Sequence, residues 1–413
     1  MSSACLTEQD IKELVDRFIR YCKIDSQSAH DVEKVPTTEK QFEMAKLLVK
    51  ELSELGLEAK LSDKCSVCAI IPGNAKASKT IGLNSHVDVS PDAPSQNIQP
   101  MIHHKISGKD LRLPSGTVIP GADLSFYEGQ DIITSDGSTL LGADDKAGVA
   151  SIMQFVTIIQ RAGTAIPHGD IYILFTSDEE VGKGADSADM NVFKPDVAFT
   201  VDGGRIGEYE CETFSAYGCT LRVTGVDIHP GSAYQVMVNA AKVASEFTTL
   251  LPQDQAPETT KEKEGFIHVT SMEGDVSEAT VQMIIRDFED AGLQAKIETI
   301  NSIVKSLKEK HPKAVIEATF KKQYSNMIKY ILPEHAYLLE HLEAAIRESG
   351  VTPNRKPIRG GTDGARFSEL GIPTPNIFAG GENFHSKREF VSIQSLSKVP
   401  EVLLRLVQKF VIA

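Results

Sequence analysis

Four polar clusters follow directly on apolar, strand-like runs. Ile81-Gly-Leu-Asn-Ser leads into His86-Val-Asp88, and Ile171-Tyr-Ile-Leu-Phe-Thr-Ser leads into Asp178-Glu179-Glu180. Val197-Ala-Phe-Thr-Val leads into Asp202-Gly-Gly, and Pro375-Asn-Ile-Phe-Ala-Gly-Gly-Glu-Asn-Phe leads into His385. A fifth, Gly142-Ala-Asp-Asp-Lys-Ala-Gly148, opens a helix-like stretch whose positive end suits its carboxylates. Two imidazoles and several carboxylates meeting on one rim would supply the nitrogen and oxygen donors that zinc, cobalt or manganese accept, with no thiolate required. In a two-cation site, with ions roughly 3.5–4 Å apart, one carboxylate bridges while each ion takes a terminal carboxylate and an imidazole. The i, i+2 spacing of His86 and Asp88 puts both on one strand face, where the carboxylate can hold the ring. Of the adjacent Glu179 and Glu180, one can bind a cation while the other faces a water as general base. Taken singly these words are weak, since His-x-Asp is commonplace and a Glu-Glu pair is usually solvated surface. Their shared placement after strands carries the weight, because open α/β sheets bind ligands outside the carboxyl ends of their strands.

The elements that must position these residues alternate in type. Helical patterns over 7–22 and 38–55, the second stopped by Gly56, precede short apolar strands at 66–71 and 80–84. A helix over 145–161 and strands at 171–175 and 197–200 follow, which predicts an α/β domain with a mostly parallel mixed sheet covered by helices. Between 214 and 323 the pattern changes. Strand-like 219–224, helical 236–250, strand-like 266–271 and 280–288, helical 293–308 and strand-like 314–320 give the order βαββαβ of a ferredoxin-like module. The helical 334–348 and apolar 372–378 then resume the first pattern. The expected organisation is a discontinuous catalytic domain, 1–213 and 324–413, interrupted by an inserted lid or dimerisation domain, 214–323.

Composition excludes other classes. The chain has 413 residues, 43 basic and 57 acidic, for a net charge of −14, and lacks the cationic footprint that nucleic-acid or anionic-membrane binding uses. No apolar run approaches the roughly 18–20 residues of a membrane span, and the N-terminus reads as a capped helix rather than a signal peptide. The 6 cysteines are too few for a disulfide scaffold, so a cytoplasmic location is expected. Cys65-x-x-Cys68 has no second pair to complete a zinc site and reads as part of a strand.

The words His86-Val-Asp-Val-Ser-Pro-Asp92, Leu140-Leu-Gly-Ala-Asp-Asp-Lys-Ala-Gly148, Asp178-Glu-Glu-Val-Gly182, Thr200-Val-Asp-Gly-Gly204, His229-Pro-Gly231 and Gly380-Gly-Glu-Asn-Phe-His385 together resemble the M20 family of co-catalytic zinc peptidases, and within it the tripeptide aminopeptidases. The resemblance spans nearly the whole chain. It implies two divalent ions, zinc above all, held by His86, Asp144, Glu180, Asp202 and His385. Asp144 would bridge, Glu179 would be the general base, Asp88 would support His86, and the Asp144–Asp145 peptide would be cis. It further implies that His229 stabilises the oxyanion from the insert, and it admits a homodimer formed through that insert. Arg286 and Arg359 are candidate anchors for a substrate carboxylate, since a guanidinium binds one as a fork; a structural ion pair is the competing role for each. Position 89 is Val where these aminopeptidases usually carry Thr, and Tyr234-Gln235 stand where Lys-Gly is expected, which bears on fine substrate preference. The expected substrates are small peptides, specifically tripeptides. The rivals are another M20 specificity, whether dipeptidase, carboxypeptidase or N-acyl-amino-acid deacylase, and a non-catalytic peptide- or metal-binding relative.

Overall fold

The computed structural model describes residues 5–412. Two compact units divide the chain: one holds the residues up to Cys211 with Tyr330–Lys356 and those from Thr362 onward, the other Glu212–Lys329 with Pro357–Gly361.

The first unit is built on an eight-stranded sheet in the order Ala59–Leu61, Val67–Ile71, Ile171–Thr176, Ile81–His86, Val197–Gly203, Asn376–Phe378, Glu208–Thr213, Asn354–Ile358. Four central strands run parallel, with Ile81–His86 between Ile171–Thr176 and Val197–Gly203, and Asn376–Phe378 beside the last. Antiparallel strands flank them on either side, so the sheet is mixed with a parallel centre. All six residues of Ile81–His86 are buried, because helices close both faces of a parallel sheet and leave no side for water. Helix Ala143–Ala162 is likewise buried nearly all round, with Val149, Ile152, Met153, Phe155 and Val156 inaccessible. Side chains so enclosed each contribute about 1.5–3 kcal/mol relative to exposure. Two features had no clear signal in sequence. Helix Ile393–Gln408 carries Pro400, which ordinarily argues for a break, yet its buried Leu396, Val399, Leu403 and Val407 keep helical spacing. A small sheet of Gly381–Glu382, Phe390–Ser392, Ile132–Thr134 and Met101–His103 is made of strands too short to show a period.

The second unit is a four-stranded antiparallel sheet, in the order Phe266–Gly274, Glu278–Asp287, Ser215–Thr224, Val315–Tyr324, with helices Ala240–Leu250 and Asp290–Lys310. Alternation along Glu278–Asp287 sends Val281, Met283 and Ile285 into a core shared with Leu221, Phe247, Ile300 and Leu307. The unit extends beyond 214–323 and takes in Pro357–Gly361, a segment that sequence had left with the catalytic domain. Arg359 is the reason: it donates to the carbonyls of Glu262 and Glu264 at 2.8 and 2.9 Å and lies over the rings of Phe214 and Phe266.

Candidate metal centre

Parallel register brings the strand ends to one level. His86 pairs with Thr176 and Asn84 with Thr200, so the residues just beyond these positions gather at the carboxyl edge of the sheet. His86 is the last residue of its strand. Its Nδ1 lies 3.1 Å from the carbonyl of Asp88 and 3.3 Å from its carboxylate, an arrangement that puts a proton on Nδ1, fixes the ring and turns Nε2 toward the other carboxylates. Asp88, fully buried, also accepts the N–H groups of Glu179 and Glu180 at 3.0 and 3.3 Å. It therefore supports the turn carrying the general-base candidate as well as the ring of His86. That turn begins at Asp178, held at φ 61, a left-handed conformation that Asp tolerates. The Asp178 carboxylate fixes it by accepting from the backbone and hydroxyl of Thr37 and from Gln41.

Asp144 sits in the kinked start of helix Ala143–Ala162, where Gly142 has φ 80 and both aspartates depart from helical geometry. The Asp144–Asp145 peptide is cis. Asp145 turns inward to the hydroxyl of Ser85 and the N–H groups of His86 and Gly148. Position 148 must be glycine, since a Cβ there would lie 1.9 Å from the carbonyl of Val201. Lys146 is buried with its Nζ on the carbonyl of Ile24 at 2.6 Å, and burial pushes its pKa down to about 8.

The two oxygens of Asp144 face opposite partners. Oδ1 is 2.9 Å from Nε2 of His86, and Oδ2 is 3.2 Å from Nε2 of His385. Asp202 lies 3.5 Å from the same nitrogen of His86, and Glu180 lies 2.8 Å from that of His385. Two triads result, His86–Asp144–Asp202 and Asp144–Glu180–His385, each with one donor atom per residue inside a 4.8 Å span. Glu179 and Glu180 diverge: Glu180 points at His385, while Glu179 approaches Nε2 of His86 to 4.0 Å.

Burial sets the electrostatics. It pushes Glu179 well above the ordinary carboxylate range, Glu180 up to about 8 and Asp202 up to about 6. Burial also opposes ionisation of Asp144, yet the hydrogen bonds from His385 and His86 hold it below its usual value. For the imidazoles burial disfavours the charged ring, but Asp202 and Asp144 raise His86 well above normal, and Asp144 and Glu180 raise His385 to about 11. The donor set fits two divalent cations. It holds nitrogen and carboxylate oxygen alone, one carboxylate faces both triads, and buried Oε1 of Glu180 has no hydrogen-bond partner, as a ligand atom would not.

Two nearby carboxylates had not been given roles from sequence. Asp92, the last residue of the first motif word, lies 3.4 Å from Nδ1 of His385 and stands to that ring as Asp88 stands to His86. Only the motif word itself pointed toward it. Asp363, at the start of helix Asp363–Glu369, is buried and accepts from the hydroxyl of Thr176 at 2.6 Å; burial pushes it up to about 7.

The remaining singled-out residues belong to the second unit. His229 is exposed, and its Nδ1 accepts the N–H of Gly231 at 3.1 Å, which leaves the ring proton on Nε2. Arg286 donates to the carbonyls of Tyr217 and Ile285 and lies over the ring of Tyr324. Arg359 has both terminal nitrogens engaged, adding Thr260 to the two carbonyls already described. Both guanidinium groups thus have structural work in this conformation.

Comparison with known proteins gives three findings. The family described as Peptidase family M20/M25/M40 matches residues 140–409. A protein named Peptidase T from Clostridium perfringens is 43% identical over 403 residues, covering 96% of this chain and 99% of its own length, and one from Salmonella typhimurium is 42% identical with 96% and 98% covered. Among solved structures, an aminopeptidase PepT from Bacillus cereus superposes with a TM-score of 0.76 at 22% identity, over 97% of this chain and 98% of its own. A dinuclear metal-binding M20 peptidase from Bacillus subtilis gives 0.66 at 14% identity, over 98% and 99%. At these identities the two structures speak to fold.

Proposed function

The chain belongs to peptidase family M20/M25/M40, and on that premise we propose that it is an aminopeptidase that removes the N-terminal residue of tripeptides at a site for two divalent cations, zinc in the native enzyme. The observation that carries the reading is the double facing of Asp144, one oxygen toward His86 and the other toward His385. His86 and Asp202 would hold one ion, Glu180 and His385 the other, with Asp144 shared. Bound there, the ions would polarise the scissile carbonyl and acidify a water.

The chain's own groups do the rest. Glu179 is oriented by the Asp88 carboxylate through its backbone N–H, and its side chain takes the proton of the attacking water and returns it to the departing amine. Asp88 and Asp92 hold the rings of His86 and His385 so that Nε2 stays aimed at the carboxylates. His229, with its proton on Nε2, is a donor suited to the oxyanion. Arg286 and Arg359 remain secondary candidates for the substrate carboxylate, each having to release backbone carbonyls to serve.

No helix among the described residues is long and apolar enough to cross a membrane. The free cysteines, all buried except Cys5, suit a reducing cytoplasm, which we take as the enzyme's location.

Metal analysis coupled to a panel of tripeptides, dipeptides and N-acyl amino acids tests the proposal. It expects two ions per chain and preferential release of the first residue from tripeptides. Hydrolysis confined to acylated substrates, or no turnover by cation-loaded protein, would overturn it.

A further inference from the structure

We propose that Glu389 is a positioning residue that fixes Asp144 against His385 and so sets the relation between the two cation sites. The inference rests on the two-cation reading of the centre. Glu389 is buried in the first unit and follows His385 by four positions in the same segment. One carboxylate oxygen accepts the N–H groups of Leu141 and Gly142 at 2.7 and 2.8 Å, and the other accepts that of Asp144 at 3.0 Å. Three donors from one short stretch of backbone therefore converge on a single side chain. They lie where the chain enters helix Ala143–Ala162, with Gly142 left-handed and Asp144 non-helical, and Glu389 supplies the acceptor each of these buried N–H groups needs.

The root of this side chain is itself fixed. Phe390–Ser392 pairs with Ile132–Thr134 on one side, and Phe390 pairs with Glu382 on the other. The turn between Glu382 and Phe390 carries His385 at φ 56, a left-handed conformation uncommon outside glycine that neighbouring contacts must hold. Glu389 thus ties the His385 turn to the Asp144 loop through three charge-assisted hydrogen bonds. In the resulting arrangement Asp144 meets His86 with one oxygen and His385 with the other. A carboxylate is required because both of its oxygens are used as acceptors. An amide offers one acceptor and would set an N–H donor against a backbone N–H.

The test is calorimetric titration of the metal-free, full-length protein with Zn2+, together with the absorption spectrum of the Co2+-substituted form and circular dichroism to verify folding. Wild type is expected to bind two equivalents. Glu389→Ala is expected to keep the first and bind the second about 10–100-fold more weakly, the range typical for loss of a group that orients a ligand. Its Co2+ spectrum should change, and Glu389→Gln should fall between the two. Wild-type affinities and spectrum in folded Glu389→Ala would overturn the inference. So would the same result in Glu389→Gln, should the alanine variant not fold. Equal weakening of both ions alongside general loss of stability would assign Glu389 a structural role only and overturn it as well. Fewer than two equivalents in wild type would instead sink the two-cation reading itself.

Discussion

Between the sheet and helices of the second unit the core is apolar, from Leu221 and Val281 to Ile300 and Leu307, and the buried pair Asp287–Lys296 satisfies itself at 2.7 Å. In the first unit, Asp88, Asp145, Asp178, Asp363 and Glu389 are buried in the same molecule region as Leu83, Val87 and Phe175. Burying a charge costs several kcal/mol unless hydrogen bonds or a counter-charge offset it. The first unit meets that cost with backbone N–H groups and hydroxyls around Asp88, Asp145, Asp178 and Glu389. At Asp144, Glu179, Glu180 and Asp202 the offset falls to two imidazoles, and there the donor set fits cations. The contrast teaches that one unit is organised by what it excludes from water, the other by what it must hold in place.

The most severe way to probe this contrast is E179Q. It should lower kcat about 10²–10⁴-fold while metal content by mass spectrometry stays at the wild-type level, and retained tripeptide hydrolysis would remove the chemistry from this cluster. Chelation comes next. Cations held at 1,000 times their Kd stabilise a fold by about 4 kcal/mol, so their removal should speed hydrogen exchange in Ile81–His86 and Ala143–Ala162 but leave Glu278–Asp287 protected. Uniform loss of protection would mean that the two units do not differ in this respect.

Ile300→Ala should have the converse signature. Truncating this fully buried side chain is expected to cost about 2–5 kcal/mol on denaturant unfolding, with the stoichiometry of bound cations unchanged. His229→Ala should lower kcat about 10²–10³-fold without altering cation affinity. A loss confined to metal occupancy would refute the oxyanion role. Recovery of activity on mixing His229→Ala with E179Q would place that histidine's action across a homodimer.

The smallest effect belongs to the surface of the second unit. Hydrogen bonds from Lys310 and His311 hold the Glu246 carboxyl below its usual range. A group depressed on folding adds stability above its unfolded pKa and loses it as pH falls through the folded one. Glu246→Gln should therefore cost less than about 1 kcal/mol at neutral pH, and the difference should vanish in acid. A penalty that persists below pH 3 would show that packing, not charge, is responsible.

Much of the fold was legible because its signals are local. Apolar runs such as Ile171–Thr176 mark strands covered on both faces, and the alternation in Glu278–Asp287 marks a strand covered on one. The helix containing Pro400 and the small sheet around Phe390 were not legible. A proline is a local argument against helix that long-range packing overrode, and two- or three-residue strands leave no period to read. The partners of Arg359 were not legible for a related reason: its guanidinium donates to carbonyls about a hundred positions earlier in the chain.

By residue type and placement the sequence alone marked out the clusters able to do chemistry, and the family resemblance singled out His86, Asp88, Asp144, Glu179, Glu180, Asp202 and His385 within them. It also determined which ions they suit, because donor atoms are fixed by composition. What only the tertiary structure decided is how these groups are arranged. Parallel register put His86 level with Thr176, the side chains of Glu179 and Glu180 diverged toward His86 and His385, and the two faces of Asp144 defined two triads. It alone brought in Asp363 and Glu389 and set Asp92 against the ring of His385. Orienting groups act by direction and distance, and those belong to the folded chain rather than to any stretch of it.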